Sequence, residues 1–213
     1  KIHEHCPIYY KKGGVIESCD TRDMVPTGNT KVHWAECTIN NPSKRKFFFG
    51  CAHFSYAIAS AEVTLIGEDI KTRVEGAAAS GQKFEFILGM DANSFHTADA
   101  RQKGGWDTFK ALVPNATFPT FPPNSFTKVS KRNDIQNKPH YGPPNNRSNQ
   151  IYDWLVFNVK DALDYVSPSL RVPPVSTQLK VPAGGNRDKK FNEAWFESFS
   201  DHLPVDALFT IKP

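Results

Sequence analysis

Six polar residues of this sequence combine reactive type with telling placement. His53, Asp91, Asn93, Asp153, Asp201 and His202 each stand where a run that reads as a β-strand begins or ends. Imidazoles and carboxylates are the usual proton carriers of active sites, and rigid strands hold the loops that do chemistry. His53 follows the run 47–52, and Asp91 and Asn93 follow the run 84–88. Asp153 lies in the run 152–157, and Asp201-His202 precedes the run 203–208. Taken singly, each has an ordinary structural explanation. His53 reads equally as a core histidine, and Asp91-Ala92-Asn93 as an Asx turn. Asp153 reads as a strand residue paired with a lysine, and Ser200-Asp201-His202 as a helix-to-strand turn.

The elements that must position these residues follow from hydrophobic period. Pro7 to Glu17 reads as two short strands around Gly13-Gly14, and Val32–Ile39 and Lys46–Ala52 as two more. Ala59, Val63, Ile66, Ile70, Val74 and Ala77 then step by four or three, the stripe of an amphipathic helix that Ser80-Gly81 ends. Phe84–Gly89 is a buried strand, Trp106–Val113 a short helix stopped by Pro114, and Tyr152–Phe157 a strand. Val159–Val166 begins another element, Leu170–Asp188 is irregular, Phe191–Phe199 is helical, and Val205–Ile211 is the closing strand. Between Pro114 and Gln150 lie seven prolines and few strand candidates. So long a loop inside a domain is usually functional or faces a partner. Strands interleaved with few helices indicate an α+β or layered α/β sandwich.

With 213 residues, the chain is long enough for one domain with a real core, and 39% hydrophobic against 23% charged residues argues against disorder. We take residues 1–213 as a single domain with a Pro-rich insertion at about 114–150. No apolar run approaches the roughly 18 residues of a membrane span. The net charge of +4 is local. Lys128, Lys131, Arg132, Lys138 and Arg147 stand against Asp134 alone between Pro122 and Gln150, so this segment carries the whole excess. It reads as a solvated basic loop or as one that faces phosphates.

Cys6, Cys19, Cys37 and Cys51 show no metal-ligand spacing. A hairpin around Lys11-Lys12-Gly13-Gly14 would set Cys6 opposite Cys19. A second hairpin around Pro42-Ser43-Lys44-Arg45 would set Cys37 opposite Cys51. Such pairs are close enough to bridge if the Cβ geometry permits. Two disulfides would mean a secreted or secretory-pathway protein; buried thiols in an intracellular or organellar one are the alternative.

Taken in order, the polar residues carry more than they do singly. The succession His53, Gly89-Met90-Asp91-Ala92-Asn93, Tyr152-Asp153-Trp154 and Ser200-Asp201-His202-Leu203-Pro204-Val205 resembles the endonuclease/exonuclease/phosphatase (DNase I-like) superfamily. Ser-Asp-His-x-Pro-Val is its most specific signature and Gly-x-Asp-x-Asn the second. The resemblance runs from about Pro7 to Ile211. It implies a four-layer α/β sandwich of two mixed sheets flanked by helices, and metal-assisted hydrolysis of a phosphoester. By motif, His202 would be the base or electrostatic partner at the scissile phosphate, oriented by Asp153. Asp201 would help bind Mg²⁺, with Mn²⁺ or Ca²⁺ as alternatives. Asp91 would activate the attacking water, Asn93 would donate to a phosphate oxygen, and His53 would stabilise developing charge. Tyr10, Lys11, Lys128, Lys131 and Arg132 would bind substrate.

One part of the family pattern has no counterpart here. The family opens with an Asn-bearing strand, a helix and a strand ending in the main metal-ligating Glu, and no such unit precedes Pro7. The expectations are a processed or truncated piece whose missing part lies on another chain or upstream of Lys1, a non-catalytic relative serving a larger assembly, or a metal held by Asp201 and Asp91 with a substitute ligand. A nuclease is the first functional choice, on the basic segment. A sphingomyelinase- or inositol-phosphatase-type hydrolase and a secreted DNase I-like effector are the alternatives.

Overall fold

The computed structural model describes residues 8–11, 14–27, 30–54, 59–93, 100–123, 125, 127, 130–133, 139–142, 151–172, 202–203 and 205–213. Two units divide the chain. One comprises Lys1–Pro119, Trp154–Val166 and Phe209–Pro213, and the other Thr120–Asp153 and Ser167–Leu208.

In the first unit β1 (Ile16–Thr27), β2 (Thr30–Ile39), β3 (Lys46–His53), β4 (Phe86–Asp91) and β7 (Asp153–Asn158) form a five-stranded sheet in the order β1-β2-β3-β4-β7. β1, β2 and β3 are antiparallel neighbours, whereas β3 and β4 are parallel. A parallel pair needs a crossover, and α1 (Ala59–Ala79) supplies it. The helix buries Val63, Ile66 and Ile70, three members of the stripe read from the sequence. It ends at Gly81, whose φ of 70° suits glycine, with the Gln82 N–H donating to the Ala77 carbonyl at 2.8 Å.

Side chains alternate across the sheet. On the α1 face, Trp34 is fully buried and donates Nε1–H to Asp69 of the helix at 3.2 Å. Its ring lies over Gly50, where a Cβ would come within 2.5 Å of it. On the other face Ala35, Cys37, Ile39, Phe47, Ile87 and Phe157 form one apolar cluster with Ala162 and Leu163. β8 (Leu163–Tyr165) and β9 (Phe209–Ile211) pair antiparallel, and Tyr165, Phe209 and Ile211 pack against that cluster. A helix against one face and a second sheet against the other make an α/β sandwich. The second helix, α2 (Ala100–Leu112), starts six residues before the expected Trp106. Polar residues and Gly104-Gly105 hide its first turns from a hydrophobic stripe. It packs on α1 at Gly67, where a Cβ would sit 3.1 Å from Leu112.

A buried carboxylate ties β4 to the turn between β7 and β8. Glu85 accepts the backbone N–H groups of Lys160, Asp161 and Ala162 at 2.7, 2.5 and 2.8 Å. Next to it Lys83 is hydrogen-bonded to Asp161, and that bond holds the Asp161 carboxyl below the ordinary carboxylate range. Both partners of this pair are exposed, so it contributes little.

Several expectations are corrected. Residues 8–11 are not a strand, and the first hairpin does not form; β1 pairs instead with β2. This register sets Cys19 opposite Cys37, and the two form a disulfide with Cα atoms 4.0 Å apart. Cys19 is thereby taken from Cys6, which lies outside the described residues. The β2–β3 register also differs from expectation: Cys37 faces Phe47 and Cys51 faces His33. The turn is centred on Asn41–Lys44, closed by Lys44 N–H to the Asn41 carbonyl at 3.1 Å, which shifts every partner. The expected loop 114–150 contains a hairpin of β5 (Ser130–Asn133) and β6 (Pro139–Gly142). The closing strand is only Phe209–Ile211, because Ser169 Oγ accepts the Leu208 N–H. Residues 191–199 lie outside the described residues, as does the 170–188 stretch beyond 172. Among the described residues no helix is long and apolar enough to cross a membrane.

Two measurements check this architecture. Glu85→Ala removes a charged acceptor from three amides and should lower unfolding free energy by about 3 kcal/mol in urea titration. Alkylation and peptide mapping without reductant should label Cys51 while leaving Cys19 and Cys37 linked.

Candidate active site

Two groups of side chains stand out, one in each unit. The first grows from the parallel pair β3–β4. Strands in parallel register deliver their last residues side by side, and in α/β sheets that carboxyl end is where ligands bind. Here His53 and Asp91 are the last register pair. His53 Nε2 lies 3.3 Å from Asp91 Oδ2, with both side chains partly buried.

Asn93 completes this group. It sits two residues past β4 with φ 43°, a left-handed conformation that asparagine tolerates better than most residues. Its N–H donates to Asp91 Oδ1 at 2.9 Å, so the Asx turn weighed from the sequence is present and fixes Asp91. Its side-chain Nδ2 donates to the Phe54 carbonyl at 2.7 Å and lies 3.1 Å from His53 Nε2. His53 Nε2 thus has two partners of opposite character. Carrying a proton, it donates to Asp91; without one, it accepts from Asn93.

The second group is Asp153 with His202. Both Asp153 carboxylate oxygens approach His202 Nδ1, Oδ2 at 2.8 Å and Oδ1 at 3.1 Å, and each side chain is 19% exposed. A carboxylate accepting from Nδ1–H leaves Nε2 free of the ring proton and able to take one or to meet an anion. The Tyr152 ring stands edge-on to the imidazole at 6.2 Å.

Thr127, which sequence reasoning missed, holds this pair in place. It is fully buried, and its Oγ1 accepts the backbone N–H groups of Tyr152 and Asp153 at 2.9 and 3.1 Å. Its carbonyl accepts the Leu203 N–H at 2.7 Å, so one residue pins the chain beside both Asp153 and His202. No spacing marks a lone threonine in a polar loop. Thr127→Val should leave two amides without their acceptor and cost roughly 1–3 kcal/mol, and Thr127→Ser should restore it. A shifted His202 imidazole resonance in Thr127→Val, recovered in Thr127→Ser, would separate positioning from general destabilisation.

The remaining expected site residues are placed as follows. Tyr10 is 40% exposed and Lys11 is exposed, both in a non-strand segment. Lys131 and Arg132 lie on β5, paired in register with Tyr141 and His140. Asp201 and Lys128 lie outside the described residues.

The five-stranded mixed sheet, with its parallel pair ending in His53 and Asp91, has a DNase I-like fold. The solved structures similar to this chain share that fold. The zebrafish TDP2 complexed with single-strand DNA product is 12% identical with TM-score 0.51, covering 90% of this chain and 68% of that one. The human Nocturnin catalytic domain with bound sulfate is 14% identical with TM-score 0.49, over 92% of this chain and 59% of that one. The Staphylococcus aureus beta toxin F277A, P278A mutant with bound magnesium ions is 11% identical with TM-score 0.45, over 82% and 56%. The chain thus spans under two thirds of the length of the last two. No family model matches the sequence, and no curated protein matches it.

Proposed function

We propose that this protein is a metal-dependent phosphoester hydrolase acting on phosphodiesters, with nucleic acid as its substrate. The observation that carries this reading is the Asp153–His202 pair within the Ser-Asp-His-x-Pro-Val signature. A half-buried imidazole held by both oxygens of a carboxylate is built for proton or anion chemistry at Nε2.

The reaction asks for four roles. Asp91, fixed by the Asn93 N–H, orients a water and takes its proton as the water oxygen bonds to phosphorus. The ester P–O bond breaks on the opposite side, and the leaving oxygen takes up a proton from solvent. His202 Nε2 meets charge at the phosphoryl group, with Asp153 holding its tautomer. Asn93 donates to a non-bridging oxygen. Its Nδ2 donates to the Phe54 carbonyl and lies 3.1 Å from His53 Nε2, which is itself 3.3 Å from Asp91 Oδ2. By motif, His53 and Asn93 would stand beside charge that forms only in the transition state.

The donor chemistry fits a hard cation. Asp91 is a carboxylate fixed at the end of β4, and carboxylate oxygens suit Mg²⁺, Mn²⁺ or Ca²⁺. By motif, Asp201 would hold the ion. When bound, the metal supplies Lewis-acid polarisation of a phosphoryl oxygen.

Nucleic acid is favoured by the basic segment that carries β5, with Lys128, Lys131 and Arg132, and by the single-strand DNA product on TDP2. The Cys19–Cys37 disulfide supports residence in an oxidising compartment. Native protein with Mg²⁺ should cleave plasmid DNA or RNA and bis-p-nitrophenyl phosphate. His202→Ala should lose about 10²–10⁴-fold in rate. No cleavage of DNA, RNA, sphingomyelin or the model diester with any of the three metals would instead support a non-catalytic role.

A further inference from the structure

The face of the sheet that carries His53 and Asp91 also carries a small cavity two strands away. Counting along the register, Gly89, Cys51 and His33 form one row on this face, directly beside the row of Asp91 and His53. The next row is Ile87, Phe49, Ala35 and Thr21. A cavity of about 190 Å³ opens over the β1–β2 side of these rows, and Ile8, Tyr10, Thr21, His33 and Ala35 are among its lining residues. His33 faces Cys51 and is therefore the diagonal neighbour of His53, about 7–8 Å away between Cα atoms. On the far side of Cys51 in the same row, a Cβ on Gly89 would meet nothing within 4 Å among the described residues. All of these residues belong to the first unit.

We infer that this cavity is a base-binding subsite, taking the purine or pyrimidine ring of a nucleotide whose phosphate lies at His53 and Asp91. The inference rests on the phosphodiesterase reading for the phosphate and extends it to the group attached. The lining fits a planar heteroaromatic ring. Tyr10, 40% exposed, presents a ring for stacking. The His33 imidazole and the Thr21 hydroxyl offer hydrogen bonds to a ring edge, and Ile8 and Ala35 give an apolar floor. An acyl chain would need a longer, wholly apolar channel. A sugar phosphate would need charged donors, and none of the described lining residues is a lysine or arginine.

The test is calorimetric and needs no turnover. Binding of AMP is compared with that of ribose 5-phosphate, which lacks the base, in the wild type, Tyr10→Ala and Thr21→Trp. Both positions are exposed, so neither change threatens folding. The wild type should bind AMP at least about tenfold more tightly, as one base–aromatic stack allows, and each variant should bring the two ligands together. Equal affinities in the wild type, or a preference that survives both variants, would overturn the subsite. A single-stranded tetranucleotide in place of AMP distinguishes a strand from a mononucleotide as the source of the base. Hydrolysis of bis-p-nitrophenyl phosphate is followed in parallel. Cleavage without base preference sinks the subsite alone, and base preference without cleavage sinks the hydrolase reading alone.

Discussion

The carboxylate of Glu85 holds three successive backbone N–H groups while the Glu85 carbonyl accepts the Phe48 N–H at 2.8 Å. Through these four bonds it joins β3, the start of β4 and the turn after β7. Buried charge is costly unless it is fully hydrogen-bonded, and here the bonds it makes set where β4 begins. The β3–β4 register follows from that start. Six residues later the same register ends with His53 beside Asp91. A slip by one residue would send Asp91 to the α1 face and put Met90, now buried, in its place.

The polar residues beyond the strands are held by short local devices. Asn93 takes a left-handed backbone, donates to Asp91 and caps Phe54, so the loop's own turn chemistry orients the candidate catalytic groups. Thr127 plays the same part for Asp153 and His202. In both places the side chain that would do chemistry is fixed by backbone hydrogen bonds rather than by packing. That favours rigid orientation at positions that are only partly buried.

Much of the candidate site was legible because motif order constrains it. His53, Asp91, Asn93, Asp153 and His202 were singled out from strand ends, and the structure groups them as His53 with Asp91 and Asn93, and Asp153 with His202. The α1 stripe and β2, β3 and β4 were legible from period. The hairpin β5–β6 was not, because Pro139 and the polar run 130–133 carry no alternation. The disulfide was misread for a related reason. Two cysteines in a sequence say that a bridge is possible, whereas register decides which two meet, and register here turned on the tightness of the Asn41–Lys44 turn.

Residue type and order along the chain therefore determined the DNase I-like sandwich and the candidate site side chains, since period and motif are local properties. Only the tertiary structure decided the partners. Cys37 meets Cys19 because β1 found β2, Thr127 reaches Asp153 across 26 positions, and the cavity by His33 forms where β1 and β2 meet Ile8 and Tyr10. These are contacts between segments far apart in sequence. Their free energy depends on which backbone groups are satisfied at once, and a linear pattern does not encode that.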